Sequence, residues 1–313
     1  MPLPKYWGNQ DHHLRLPSNG SISLNLGDLF TKTHIEFSEE LKSDTLAING
    51  KIQSGSSLER LTSFINIIRE MAGKPYFANV ESESNFPIGT GIASSAAAFA
   101  ALSLAASAAL GLNLSEMELS FLARRGSGSA SRSVPGGFVE WLHAKHDKDS
   151  FAISIAPENH WDLVDLVAVV ETEHKKVGSS EGHRLAGTSI FQKPRVENAT
   201  ERLAIVRKAI LEKDFTSLAD TIELDSNMMH AVMMTSNPPI FYWNGASLKI
   251  MKLVRQLRDS GTPVCYTLDA GPNVHVITLK ENSAAVSEAL SQIGEIKRLI
   301  QSGVGGKAVL IHN

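Results

Sequence analysis

Cysteine is nearly absent from the 313-residue sequence, where Cys265 stands alone. A lone thiol excludes an internal disulfide framework and a thiolate-rich metal site. Its neighbours Val264 and Tyr266 are apolar, so it reads as a small buried hydrophobe rather than a nucleophile. Long hydrophobic runs are also missing. The longest, around Ala96–Leu110, is diluted with Ala and Ser and is too short to span a bilayer. No charged-then-apolar leader opens the sequence. Charge of one sign is not in excess either: the formal net charge is −3 and the Lys and Arg residues are dispersed. Such a balance gives no reason to expect nucleic acid or a membrane as partner, and any anion site must be local. These absences together point to a protein of a reducing compartment, expected to be cytoplasmic. The rest is the composition of an ordinary globular chain, 42% hydrophobic and 20% charged.

Strand-like, helix-like and glycine-rich segments alternate, as in a mixed α/β or α+β protein. Ser21–Leu26 and Thr33–Phe37 alternate polar and apolar residues and read as strands around a Gly-Asp turn. Leu58–Met71 carries Leu61, Phe64, Ile65 and Ile68 at helical spacing and stops at Gly73. Phe77–Glu81 reads as a strand, Gly91 opens a long Ala-rich helix, and Ser115 with Glu118 forms a capping box. Leu163–Val170 reads as a buried strand, whereas Glu171–Gly187 is too polar and flexible in composition for a regular element. Helices are expected over Val196–Glu212, Phe215–Met234, Trp243–Ser260 and Ser283–Ile293, with strands at Val264–Leu268, Val274–Leu279 and Ala308–Ile311. The expected division is into residues 1–175 and 176–313. No repeat marks a solenoid.

Phe86-Pro87-Ile88-Gly89-Thr90-Gly91-Ile92-Ala93-Ser94-Ser95-Ala96 is the strongest local signal. Small residues let the backbone approach an anion, and the helix behind presents free N–H groups and the positive end of its dipole. Ser94 and Ser95 add hydroxyls for a phosphate oxygen or a magnesium ion. No lysine follows the glycines, so this is not a Walker A loop. Taken alone, the stretch is equally a tightly packed helix with a small-residue face.

Its order, Pro87-x-x-x-Gly91-Ile92-Ala93-Ser94-Ser95-Ala96, resembles the phosphate-binding motif of the GHMP kinases. Further blocks resemble one branch of them, the mevalonate diphosphate decarboxylase family: Lys5-Tyr6-Trp7-Gly8, Gly126-Ser127-Gly128-Ser129-Ala130-Ser131-Arg132-Ser133, and Asp269-Ala270-Gly271-Pro272-Asn273. The likeness runs nearly end to end. It implies a two-domain α+β GHMP kinase fold, S5-like at the N-terminus and ferredoxin-like at the C-terminus, with the active site in the cleft between. It also implies ATP and Mg²⁺, a phosphorylated mevalonate as substrate, and a homodimer.

The resemblance assigns Pro87, Gly89, Gly91, Ile92, Ala93, Ser94 and Ser95 to ATP, with Ser94 as a magnesium contact. Lys175 is a candidate second lysine at the ATP phosphates. Asp269, at a strand end beside a glycine turn, would orient the C3 hydroxyl, and Lys5 would steady that carboxylate and the transferred phosphoryl group. Arg132 can clamp a carboxylate through two parallel hydrogen bonds. Ser127, Gly128, Ser129 and Tyr6 would complete the substrate site. The implied chemistry is phosphorylation of the tertiary C3 hydroxyl, followed by loss of phosphate and CO₂.

Two positions depart from the family pattern. The family usually has lysine where this sequence has Asn9, and methionine where it has His183. Ser180 stands where some members place a diphosphate-binding arginine. Loss of a cation matters more for two phosphates than for one, so the expected substrate is mevalonate 5-phosphate and the product isopentenyl phosphate. The alternatives are a diphosphomevalonate decarboxylase, a mevalonate 3-kinase that does not decarboxylate, and a non-catalytic ligand sensor of the same fold. Met1-Pro2-Leu3-Pro4 also replaces the usual strand before Lys5, and prolines are poor ladder residues.

Overall fold

The computed structural model describes residues 1–86, 94–172 and 177–311. A short hairpin joins β1 (Asn9–Asp11) to β2 (Leu16–Pro17). β3 (Ser21–Leu24) follows, then β4 (Thr31–Ser38), β5 (Thr45–Ile48), β6 (Lys51–Ile52), α1 (Ser56–Ala72), β7 (Phe77–Ser84), α2 (Ser94–Ala109) and α3 (Glu116–Gly126). A 3₁₀ turn at Gly128–Ser133 leads into β8 (Phe138–Trp141) and β9 (Ala152–Ala156). The two segments expected around the Gly-Asp turn are both strands, but they part company. β3 joins the sheet β3-β8-β9, and β4 joins β4-β7-β5-β6.

The apolar stripe of α1 (Leu61, Phe64, Ile65, Ile68) packs with α2 and α3 against Ile35, Leu46 and Val80 of the second sheet. Gly73 ends α1 in the left-handed conformation at φ 63°, and Ser115 with Glu118 caps α3 reciprocally. Gly126 lets α3 end against α2, since a Cβ there would lie 2.1 Å from the Phe99 ring.

The C-terminal half contains β10 (Leu163–Val169), α4 (Ser179–Leu185), α5 (Gln192–Glu197), α6 (Ala199–Glu212), α7 (Phe215–Met234), α8 (Gly245–Asp259), β11 (Val264–Leu268), β12 (Val274–Leu279), α9 (Ser283–Ser291) and β13 (Arg298–Gly303). Its antiparallel sheet has the order β11-β12-β10-β13. Alternate residues divide its faces. Val164, Leu166, Val274 and Val276 pack on α8 and α9. Cys265 and Ile277 face the other way, onto Leu3, Ile22 and Phe138 of the N-terminal half together with α6 and α7. The halves therefore share one apolar core. Cys265 is buried, as expected, and burial pushes its thiol pKa well up.

Three expectations need correction. Residues 179–185 form a helix despite their polar composition, with Gly182 packed against Trp7. The last strand is Arg298–Gly303, paired with β10, rather than 308–311. In the later stretch Ala308 N–H donates to the Val134 carbonyl, and the stretch lines the cleft. The expected helix 196–212 is broken at Asn198 into α5 and α6. The N-terminal prolines do not prevent pairing: Leu3 N–H donates to the Ile22 carbonyl and Ile22 N–H to that of Pro4. Among the described residues no helix is long and apolar enough to cross a membrane.

Candidate active site

A cleft of about 1140 Å³ opens between the halves. Its walls come from the N-terminal segment, β4, the start of α2, the 3₁₀ turn, α4, the turn after β11, and residues 305–311. At its floor the Lys5 ammonium donates to Asp269 Oδ1 at 2.7 Å and to the Pro2 carbonyl at 3.1 Å. The two side chains are 2% and 15% exposed, and both residues border the cleft. Burial pushes the Asp269 pKa up, but the nearby Lys5 and His275 charges and the Lys5 hydrogen bond outweigh it, and the net direction is downward.

The backbone carrying Lys5 is clamped. Its N–H donates to Asp225 Oδ2 at 2.7 Å and its carbonyl accepts from Arg195 at 2.7 Å. Asp225 is paired with Arg195 and Arg202, and all three are buried.

Arg132 comes from the 3₁₀ turn and is 4% exposed. Its guanidinium donates to Ser21 Oγ and lies 5.7 Å over the Trp141 ring. Burial lowers its pKa to about 10, which leaves it charged at neutral pH. No carboxylate pairs with it among the described residues, so it is available to a bound one. Ser127, Gly128 and Ser129 line the same wall. A Cβ on Gly128 would lie 2.8 Å from the Tyr6 ring, so glycine is required for that approach. Ser95 Oγ is 3.2 Å from Ser127 Oγ, which ties the start of α2 to the serine turn.

The specificity candidates separate. His183 and Ser180 line the cleft, as do Tyr6, Ser94 and Ser95. Asn9 is not on that wall; it accepts a hydrogen bond from the Tyr6 hydroxyl and meets His12 Nδ1 at 3.2 Å. The His183 ring stacks on Tyr6 at 4.2 Å between centroids, and its Nδ1 accepts from Gly8 N–H at 2.9 Å. With Nδ1 as acceptor, a neutral ring carries its hydrogen on Nε2. Pro87, Gly89, Gly91, Ile92, Ala93 and Lys175 lie outside the described residues.

Arg15 and Arg60 also line the cleft, and neither stood out in the sequence. Burial first, and then the Arg15 charge, lower the Arg60 pKa to about 10. Among the described residues no carboxylate forms an ion pair with either. Both lie in segments with no motif, so only their convergence marks them. No cluster of His, Cys, Asp or Glu suited to a metal occurs among the described residues. The hydroxyls of Ser94 and Ser95 fit a magnesium ion held chiefly by phosphates and water, not an all-protein cage.

The model of the diphosphomevalonate decarboxylase-like N-terminal domain matches residues 1–152, and that of the mevalonate 5-diphosphate decarboxylase C-terminal domain matches 165–309. A diphosphomevalonate decarboxylase of Candida albicans is 36% identical over 335 residues, covering 96% of this chain and 92% of its own. The chain belongs to the diphosphomevalonate decarboxylase family. The Saccharomyces cerevisiae member is 39% identical over 301 residues, covering 90% of this chain and 76% of its own.

Solved structures of family members agree. The mevalonate diphosphate decarboxylase of Staphylococcus aureus superposes with a TM-score of 0.94 at 38% identity, covering 98% of this chain and 93% of its own. A structure described as MDDEF in complex with MVAPP, AMPPCP and magnesium gives 0.92 at 39% identity, covering 98% and 94%. The Candida, Saccharomyces and Staphylococcus relatives carry the diphosphate in their names. They lend no support to the single-phosphate substrate expected from Asn9, Ser180 and His183, and favour the diphosphate alternative.

Proposed function

We propose that the protein converts mevalonate 5-diphosphate to isopentenyl diphosphate, with ATP as phosphoryl donor and release of ADP, phosphate and CO₂. The observation that carries this reading is a group of four cations among those on the cleft: Lys5, Arg15, Arg60 and Arg132. Only Lys5 among them is ion-paired with a carboxylate within the described residues. Arg15 and Arg60 offset the charge absent at Asn9, which weakens the case for a single phosphate.

Asp269 accepts a hydrogen bond from the C3 hydroxyl and orients it, while Lys5 holds the carboxylate and neutralises the incoming phosphoryl group. A carboxylate paired with an ammonium is a weak base, so orientation is its larger contribution. Arg132 holds the substrate carboxylate in a plane, assisted by Ser127 and Ser129. Tyr6, Ser180 and His183 border the phosphate end. Ser94 and Ser95 are assigned to the ATP phosphates, and family likeness alone assigns Pro87, Gly89, Gly91, Ile92, Ala93 and Lys175 to the same ligand. Magnesium, when bound with ATP, neutralises charge on the phosphates. A cytoplasmic homodimer completes the proposal, on family likeness alone.

Asn9 favours a second reading, mevalonate 5-phosphate, because it offers Tyr6 an amide where the family usually places an ammonium. Comparing kcat/KM for mevalonate, its 5-phosphate and its 5-diphosphate separates the two. A clear preference for the 5-phosphate overturns the main reading. ATP consumption without CO₂ would identify a 3-kinase, and no turnover of any of the three would remove the enzymatic reading.

A further inference from the structure

The chain from Lys5 to Gly8 lies in no helix or strand, although it carries Lys5 and Tyr6 onto the cleft wall. Its ladder with β3 ends at Pro4, whose carbonyl accepts from Ile22 N–H. Buried backbone groups beyond that point need other partners, and side chains of the C-terminal half supply them. Asp225 on α7 accepts from Lys5 N–H, and Arg195 on α5 donates to the Lys5 carbonyl, each at 2.7 Å. Asn19 adds a second bond to that carbonyl at 3.0 Å. Gln192, one turn before Arg195 on α5, donates through Nε2 to the Trp7 carbonyl at 2.8 Å. His183 on α4 accepts from Gly8 N–H at 2.9 Å. Gly8 adopts φ 91°, and a Cβ there would lie 2.5 Å from Gln192 Nε2, so the approach requires glycine.

Both α5 side chains are buried, and each keeps one buried atom without a hydrogen-bond partner among the described residues, Gln192 Oε1 and Arg195 Nε. Folded proteins hold few such atoms, because each forfeits its bonds to water. An apolar side chain of the same length at position 192 would avoid that cost, so the amide is kept for the Trp7 carbonyl. We propose that Gln192, together with Arg195, is a positioning residue for Lys5: α5 fixes the Lys5–Gly8 backbone to the half that carries Asp269, and so sets the ammonium against that carboxylate. Its consequence for turnover rests on the functional reading above. Gln192 is not on the cleft wall. It acts through the Trp7 peptide, two residues from Lys5, while Arg195 holds the Lys5 peptide itself.

Two measurements on the full chain test the clamp. Gln192→Met keeps the length of the side chain and removes the donor. Gln192→Asn keeps the amide but is one methylene too short for the Trp7 carbonyl, and it decides the matter if the first variant does not fold. The first measurement needs no turnover: nitrogen NMR of the lysine ammonium groups, with the Lys5 signal assigned by its loss in Lys5→Met. In a folded Gln192 variant the Lys5 signal should shift or broaden. An unmoved Lys5 signal overturns the proposal. The second is steady-state kinetics with ATP and mevalonate 5-diphosphate. Misplacement of Lys5 should lower kcat about tenfold, while AMPPCP affinity stays within about twofold of wild type. A merely structural role would lower Tm and leave kcat unchanged, and that result overturns the proposal. If the wild-type protein turns over no mevalonate phosphate, the functional reading fails and the Lys5 signal still decides whether α5 places the ammonium.

Discussion

Lys5 and Asp269 lie 264 positions apart in the chain, yet their side chains meet at 2.7 Å on the cleft floor. The N-terminal segment reaches that point because Leu3 pairs with Ile22 and Asp225 clamps the Lys5 peptide. Asp269 reaches it from the end of β11, held from behind by the sheet. The pair is therefore a product of the contact between halves. Asp269→Asn is expected to lower kcat about a hundredfold or more, while AMPPCP affinity, measured by calorimetry, stays near wild type. An unaffected rate would remove the assignment of Asp269.

The Asp225 clamp makes a stability prediction. Asp225→Asn leaves Arg195 and Arg202 buried without their counter-charge. The loss should be about 3–5 kcal/mol in urea unfolding, with Lys5 displaced and kcat reduced alongside. A variant as stable as wild type would show that the guanidiniums find other partners.

Arg60→Gln and Arg15→Gln address the phosphate end. Each should raise KM for the 5-diphosphate, by about tenfold or more if the guanidinium bonds the ligand directly. The effect on the 5-phosphate should be smaller. Equal effects on both substrates would place these arginines elsewhere.

His230 provides a pH test. Burial first, then the Lys5 charge, lowers its pKa to about 3 from an ordinary 6.5. The folded protein thus keeps the ring neutral while the unfolded chain protonates it. The corresponding stability is fully present above about pH 6.5 and is lost as pH falls toward 3. His230→Gln should flatten the fall of Tm between pH 7 and pH 4.5 relative to wild type. Parallel curves for the two proteins would contradict the burial argument.

Gly128→Ala tests the close approach to Tyr6. The added methyl meets the ring at 2.8 Å, so Tyr6 must move or the turn must shift. The expected cost is about 1–3 kcal/mol, with a higher KM for the mevalonate phosphate. Gly187→Ala, where nothing lies within 4 Å, is the control and should leave both unchanged.

Much of this architecture was legible in order along the chain. Periodicity located Phe215–Met234, Val264–Leu268 and Val274–Leu279 with their observed bounds. Resemblance to the family's motifs singled out Lys5, Arg132 and Asp269, because such blocks of glycines, hydroxyls and charges are local properties of sequence. Composition misled where packing overruled it. Residues 179–185 are helical although polar, and β13 pairs at 298–303 because β10 offers its free edge there.

The sequence by itself determined the kinds of element, the family pattern and the chemical types gathered in the motifs, since each depends on near neighbours. Only the tertiary structure decided which distant groups meet. It brought Lys5 to Asp269, gathered Arg15 and Arg60 on the cleft without any motif, turned Asn9 toward Tyr6, and set His275 on Asp165. The physical reason is that charge, burial and hydrogen bonding act through space. Residues far apart in the chain acquire a shared chemistry only when the packed core of the two halves holds them a few ångströms apart.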